Sequence, residues 1–432
     1  MSELTTTHFL MIAVFVIGYL AIIFEHTIKV NKTASALLMA TVSWGILFTM
    51  APESLDASLG MLGEHVGNVS QIIFFLLGAM TLVEVIDSHK GFKIITDVIN
   101  TRSKRKMLWL IGAIAFCLSA MLDNLTTTIV MVSLLRKLVH ERNERLLLGS
   151  MVVIAANAGG AWTPIGDVTT TMLWINGQVT TVPIMKSLFL PSLAALLISL
   201  SFLSLKLKGR YPDLFGHHLE AKIEPGARLV FFSGVGALIC VPIFKTVTGL
   251  PPFMGMLIGL GVLWLITDIL HYKYEDRYHL RVPHVLTKID TSGVLFFLGI
   301  LLSINALETI GVLKNLAIFL GRHIDNLAVI ATSIGIISAI VDNVPLVAAT
   351  MGMYDLTTYP ADSAIWQMIA YCAGTGGSIL VIGSAAGVAL MGMEKVDFLW
   401  YMKKISVTAL TGYLGGMVVY LVLRALIPAL FI

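Results

Sequence analysis

Ten stretches of this 432-residue chain are apolar over roughly the length a helix needs to cross a bilayer: residues 8–28, 33–51, 69–87, 147–175, 184–206, 226–246, 252–271, 291–311, 364–393 and 405–426. Within hydrocarbon every backbone N–H and C=O must find its partner inside the protein, so such segments fold as helices. Only 13% of the residues are charged, and mean hydropathy is +0.87. Those values exclude a soluble globular domain, a disordered chain and a nucleic-acid-binding protein. The sequence specifies an all-α polytopic membrane protein. Residues 1–8 carry no Lys or Arg, unlike the basic start of a cleavable leader, so the first run reads as a retained helix. Cys117, Cys240 and Cys372 fall inside apolar segments and read as small packing residues rather than a disulfide framework.

Two further apolar stretches, 107–139 and 326–353, are interrupted at Asp123-Asn124 and Asp342-Asn343. Their arms are short for a full crossing, which reads as two re-entrant hairpins with tips buried in protein or facing water. The first is flanked by Arg102, Lys104, Arg105 and Lys106 before it and by Arg136, Lys137, Arg142 and Arg145 after it, so both its ends belong on the cytoplasmic side. Carrying this topology along the chain places both termini outside. Of the 29 Lys and Arg residues it leaves outside only Lys186, Lys245, Lys314, Arg322 and Arg424.

The halves, 1–215 and 216–432, also repeat. Phe74-Phe75-Leu76-Leu77-Gly78 resembles Phe296-Phe297-Leu298-Gly299, and Asp123-Asn124 matches Asp342-Asn343. Gly159-Gly160 followed by Ile165-Gly166 matches Gly376-Gly377 followed by Ile382-Gly383 at one constant spacing. Each half holds three helices, a hairpin, a glycine-interrupted helix and a last helix. Five crossings is an odd number, so the second half is expected to be inverted. Inverted repeats with broken helices point to a secondary transporter with its site near the midplane.

The chemistry concentrates at the interruptions. Gly159, Gly160, Pro164 and Gly166 break 147–175, while Gly374, Gly376, Gly377 and Gly383 break 364–393. Freed carbonyls and half-helix ends are cation ligands that need no side-chain charge. The alternative, that these glycines serve close helix packing, does not account for two matched breaks behind two matched Asp-Asn pairs. Asp123 and Asp342 at the hairpin tips and Asp167 at the first break are acids at membrane depth, a costly placement that signals function. No Lys or Arg lies beside them in sequence. If the tips meet near the midplane, the three acids converge as a site for a cation, or for protons when none is bound. Asn124, Asn157, Asn343, Thr126, Thr127, Thr163, Thr169, Ser378 and Ser384 would add oxygen ligands, and proton and metal ion would compete for the same carboxylates. Asp as a helix cap at each tip is the structural alternative.

Weaker candidates surround these. Glu84, near Asp87 and His89 at the cytoplasmic boundary, reads as a proton relay or as the polar end of its helix. Glu25 and His26 read as solvated, and Glu308 as facing an interface or a cavity. His217, His218, His271, His279 and His284 read as solvated positions on cytoplasmic loops. Residues 91–101 read as an amphipathic interfacial helix ahead of the first hairpin.

The runs Leu122 to Thr128 and Asn157 to Thr171, with Asp342-Asn343-Val344-Pro345, resemble the NhaD-type sodium/proton antiporters of the ion transporter superfamily, over nearly the whole chain. The resemblance implies a homodimer in which hairpins and broken helices form a transport domain that moves elevator-fashion against a scaffold. It also implies Na⁺ and Li⁺ as the exchanged ions and, with the charge asymmetry, a bacterial inner membrane. Dicarboxylate carriers of the superfamily carry Ser-Asn-Thr at the tips. Here Asp stands first at both, and Val344-Pro345 replaces the second Thr, which trades a neutral anion site for negative charge. The sequence thus reads as a Na⁺(Li⁺)/H⁺ antiporter with its ion at Asp123, Asp167 and Asp342, and without cofactor or catalytic residues. A dicarboxylate or arsenite carrier on the same scaffold would want a basic or neutral site. An intramembrane aspartyl protease with Asp123 and Asp342 as its dyad would explain two acids but not the paired breaks.

Overall fold

The computed structural model describes residues 6–50, 55–96, 101–207, 209–211, 224–324 and 326–428; His217 and His218 lie outside them. Among the described residues the chain is helical, with no β-strand. The first half opens with α1 (Thr6–Ile23), a one-turn α2 (Glu25–Ile28), α3 (Lys32–Met50) and a long α4 (Leu55–Ser88). A one-turn α5 (Lys93–Thr96) precedes α6 (Lys104–Ser119) and α7 (Asn124–Leu138), and then come α8 (Arg142–Gly160), α9 (Val168–Ile175) and α10 (Thr181–Lys206). The second half runs through α11 (Ala227–Thr248), α12 (Pro252–His271), a one-turn α13 (Val282–Val285), α14 (Thr291–Thr309) and α15 (Val312–His323). It ends with α16 (Leu327–Ile337), α17 (Asn343–Met353), α18 (Ala364–Gly376), α19 (Ala385–Glu394), a short α20 (Phe398–Lys404) and α21 (Ser406–Leu426).

Among the described residues eight helices are long and apolar enough to cross a membrane: α1, α3, α4, α10, α11, α12, α14 and α21. They account for eight of the ten expected crossings. The segments expected as the other two hold the helix pairs α8–α9 and α18–α19, broken at 161–167 and 377–384, where the glycines stand. The third crossing, expected over 69–87, belongs to a longer helix: α4 has 34 residues and begins at Leu55, about 51 Å of helix at about 1.5 Å per residue. Of the amphipathic helix expected over 91–101, the structure describes one turn, Lys93–Thr96, and 97–100 lie outside the described residues. An amphipathic helix, α15, stands just ahead of α16, with Val312, Leu313, Leu316, Ala317 and Leu320 recurring at helical spacing.

Packing sorts the helices into two groups. In one, α3 lies against α1 and α14, and α4 lies against α11, α12 and α14. In the other, α8 lies against α6, α7, α10 and α19, and α18 lies against α16, α17 and α21. The groups meet where α17 touches α14 and α9 touches α4. Lipid offers helices no hydrophobic drive to associate, so close contact depends on small residues. Gly412 and Gly416, one turn apart on α21, press on the Ala195 and Pro191 carbonyls of α10. Gly299 of α14 presses on the α3 backbone at Ala36 and Leu37 in the same way. Burial peaks at α8 and α18: every residue from Leu148 to Gly160 and from Ile365 to Gly376 is buried, whereas on α1 Met11 alone is.

Candidate functional site

The halves make matching contacts around the breaks. Ser119 donates to the Ala156 carbonyl at 2.6 Å, and Ser338 to the Ala373 carbonyl at 3.2 Å. A Cβ on Gly159 would fall on the Phe116 carbonyl, and one on Gly376 on the Gly335 carbonyl. These glycines let α8 ride on α6 and α18 on α16 closely enough to carry each chain into its break.

Four helices begin in this region, α7, α9, α17 and α19, and their first residues follow Asp123, Asp167, Asp342 and Ser384. All four side chains cap their helices. Asp123 Oδ1 accepts the Thr126 N–H at 2.7 Å, Asp167 Oδ1 the Thr169 N–H at 3.0 Å, Asp342 Oδ1 the Val344 N–H at 3.2 Å, and Ser384 Oγ the Gly387 N–H at 3.3 Å. Capping therefore holds, but it occupies one oxygen of each carboxylate. The second oxygens go elsewhere. Asp123 Oδ2 accepts from the Thr126 hydroxyl at 2.7 Å. Asp342 Oδ2 faces Lys32 Nζ at 3.9 Å. Asp167 Oδ2 accepts from Asn124 Nδ2 at 2.9 Å, deep inside the protein with Asp167 only 1% exposed.

That last bond belongs to a buried polar network. The Asn124 amide N–H₂ bridges Asp167 Oδ2 and Asn157 Oδ1 (3.0 Å), and Asn157 Nδ2 donates to Ser384 Oγ at 2.9 Å. It joins α7, both arms of the first broken helix and the second break. Four buried polar atoms nearby in the chain have no hydrogen-bond partner: Thr127 Oγ1, one turn into α7, Trp162 Nε1 in the first break, Thr169 Oγ1, two residues past Asp167, and Asn343 Nδ2, at the start of α17. Three residues expected as ligands donate their hydroxyl protons to neighbouring groups, which leaves the oxygen lone pairs available. Thr163 donates to the Ala120 carbonyl at 2.7 Å, Ser378 to the Thr375 carbonyl at 2.7 Å, and Thr126 serves Asp123.

The expected convergence of three acids needs restating. Asp123 and Asp342 lie near enough for their charges to act on Asp167. Among the described residues no three His, Cys, Asp or Glu side chains are grouped closely enough to hold one metal ion between them. The absence of basic residues beside them holds in sequence but not in space, because Lys32 comes from α3. Asp342 opens onto a small cleft of about 80 Å³, lined by Tyr19, Glu25, Lys32, Ile382 and Met391 among others. Glu25, expected to be solvated, lines this cleft and accepts the Lys32 N–H at 3.3 Å. No local signal in the sequence singles out Lys32 or Tyr19.

The weaker candidates lie apart from the network. Glu84, half-buried on α4, accepts from Ser88, which also takes a bond from Lys288 at 3.1 Å. The Glu308 side chain packs against Gly352 of α17. His271 is not on a solvated loop: it is 1% exposed, with its Nε2 3.0 Å from Nε2 of the fully buried His89. Burial disfavours the charged form of the His89 ring, just past the end of α4, and holds it down to about 4. Elsewhere, buried Glu394 at the end of α19 accepts from Arg136 at 2.7 Å and Arg145 at 2.8 Å, tying the α7 and α8 side to α19.

A family model described as "Citrate transporter" matches residues 19–373. The chain is 56% identical over 419 residues to a protein of Arabidopsis thaliana named sodium/proton antiporter 1, covering 96% of this chain and 72% of that one. It is 52% identical to sodium/proton antiporter 2 of the same plant, covering 95% and 98%. It is 30% identical to the Na(+)/H(+) antiporter NhaD of Halomonas elongata, covering 96% and 88%.

Proposed function

Because the chain belongs to the citrate transporter family, and so is an integral membrane transporter and not an enzyme, we propose that it exchanges Na⁺ or Li⁺ for H⁺. The ion and the proton compete for membrane-embedded aspartates, foremost Asp167. The exchanged ions are cargo, and a family of this kind calls for no cofactor. The relatives named sodium/proton antiporters, from a plant and from bacteria, support the substrates.

The observation that carries the reading is the Asn124 amide bridging Asp167 Oδ2 and Asn157 Oδ1. Two oxygens held about a partially positive amide group make a place for a hard cation, for which oxygen is the preferred ligand. On arrival of Na⁺ the Asn124 amide turns, offers its oxygen, and Ser384 Oγ completes the set from the other half. A proton on Asp167 does the same electrostatic work without a metal ion. Asp123 and Asp342, capping α7 and α17, bias the region toward cations and serve as further proton or ion positions. Matched contacts in the two halves support an inverted repeat, with α6–α7 and α16–α17 as re-entrant hairpins. The two packing groups support a scaffold and a transport domain in elevator motion, in a homodimer. The charge asymmetry supports both termini on the outer side of a membrane such as the bacterial inner membrane.

The test is proteoliposomes with a preset pH gradient and a pH-sensitive dye inside. Na⁺ or Li⁺ collapses the gradient, while choline and succinate do not. Asp167→Asn, Asp123→Asn and Asp342→Asn each abolish the collapse in protein that still inserts and stays monodisperse. Uptake of labelled citrate or dicarboxylate with no cation response would replace this reading with a carrier of organic anions, of which citrate is the one in the family's description. Full activity in any one variant would remove that residue from the mechanism.

A further inference from the structure

Lys32 is built into the scaffold side of the cleft. Its backbone N–H is held by Glu25, its neighbour Thr33 is tied to Ser292 of the α14 start at 2.9 Å, and its ammonium lies 4.4 Å from the centre of the Phe296 ring. From that fixed base the ammonium reaches Asp342, the residue that caps α17 in the other packing group, at 3.9 Å. The two side chains are 32% and 20% exposed, so the pair is neither sealed in the interior nor free in solvent. The distance is that of an ion pair without a direct hydrogen bond, and the ammonium can be displaced.

Resting on the antiport reading above, we propose that Lys32 is a tethered stand-in for the transported cation at Asp342, and that this pair makes the exchange obligatory. An exchanger must move when it carries an ion or a proton and stay still when empty. With Asp342 ionised and empty, the ammonium neutralises it and binds the α17 tip to the α3–α14 scaffold. A metal ion or a proton on Asp342 cancels the charge that Lys32 holds, and the tip is released. The same residue therefore competes with the ion for the carboxylate and blocks return of the unloaded carrier.

Two readouts follow in reconstituted protein. Lys32→Gln removes the competitor, and the apparent KM for Na⁺ falls about two- to fivefold, the size of a partly exposed ion pair. It also removes the tether. Sodium then leaks from loaded vesicles into sodium-free medium at fixed alkaline pH several times faster than with the wild type. Lys32→Arg, which keeps the charge, stays close to the wild type on both, whereas a purely steric role would move both variants alike. If the Gln variant fails to insert, wild-type protein supplies the answer. Saturating Na⁺ frees Lys32, and its modification by an amine-reactive reagent, followed by mass spectrometry, speeds up relative to choline. An unchanged or raised KM without leak in Lys32→Gln, or Na⁺-independent modification of Lys32, overturns the proposal. Those results leave the antiport reading standing, an active Asp342→Asn removes Asp342 from the mechanism and takes this proposal down, and only a pH gradient that neither Na⁺ nor Li⁺ collapses takes both down.

Discussion

Gly376→Ala places one methyl group where α18 crosses α16. Beyond falling on the Gly335 carbonyl oxygen, the new Cβ would lie 2.7 Å from the Gly335 carbonyl carbon and 2.9 Å from Ser338 Oγ, where ordinary contact begins at 3.4 Å. The helices must part by at least about 0.7 Å (3.4 − 2.7), and because backbone is what the methyl meets, no rotamer change relieves it. Overpacking of this kind costs about 1–3 kcal/mol. Gly392, exposed on α19, has nothing within 4 Å of the point where a methyl would stand, so Gly392→Ala meets no such barrier and gains up to about 1 kcal/mol of helix propensity. The same chemical change should therefore act with opposite signs at two addresses. Thermal unfolding of the purified protein in detergent, read by intrinsic fluorescence, should put the Gly376→Ala midpoint below the wild type and Gly392→Ala at or above it. Exchange in liposomes should fall only in the former, because parting α18 from α16 also strains the Ser338 bond to Ala373 and the break beyond it. A Gly376→Ala protein of wild-type stability and activity would refute the close approach.

Two other expectations concern buried charge. His89, with a ring held down to about 4 against an ordinary value of about 6.5, takes up its proton later in the folded than in the unfolded chain. Stability should therefore fall as pH drops from about 6.5 toward 4, by up to about 3 kcal/mol, and His89→Gln should flatten that part of a thermal-midpoint profile against pH. An equally steep profile in the variant would place the titration elsewhere. Glu394→Gln leaves Arg136 and Arg145 without their shared counter-ion; with the Arg136 side chain 48% exposed the loss should be about 2 kcal/mol, short of the full cost of breaking a sealed pair. An unchanged melting midpoint would show that solvent already screens the cluster.

What the sequence displays is what acts locally. The Asp-Asn pairs stand at helix starts because Asp caps the next turn, and the glycine runs mark breaks because they alone allow the close backbone approach seen at Gly159 and Gly376. Both depend on neighbours in the chain, so spacing reveals them. Lys32 beside Asp342, His89 beside His271, and Glu394 between Arg136 and Arg145 depend on which helices meet, and nothing in their own segments announces the partner. A lysine next to a membrane end looks the same whether it meets water or a carboxylate from the other half. The loop expected at His271 fails for a related reason. Its helix continues through Asp268 to the very end of the apolar run, so a polar residue there reads as the start of a loop. The amphipathic α15 is hidden because its Lys and Arg residues look like loop charges, although they fall on one side of a regular turn.

The pairing of α10 with α21 across Gly412 and Gly416 has a consequence for synthesis. About 200 residues separate the end of one helix from the start of the other. At about 5–20 residues per second, α10 enters the bilayer some 10–40 seconds before its partner exists. During that interval the small-residue face around Pro191 and Ala195 must be covered by lipid or by the insertion machinery. Chains truncated before residue 406 would retain α10 with its groove open, a lesion that quality-control proteases in the membrane are placed to recognise.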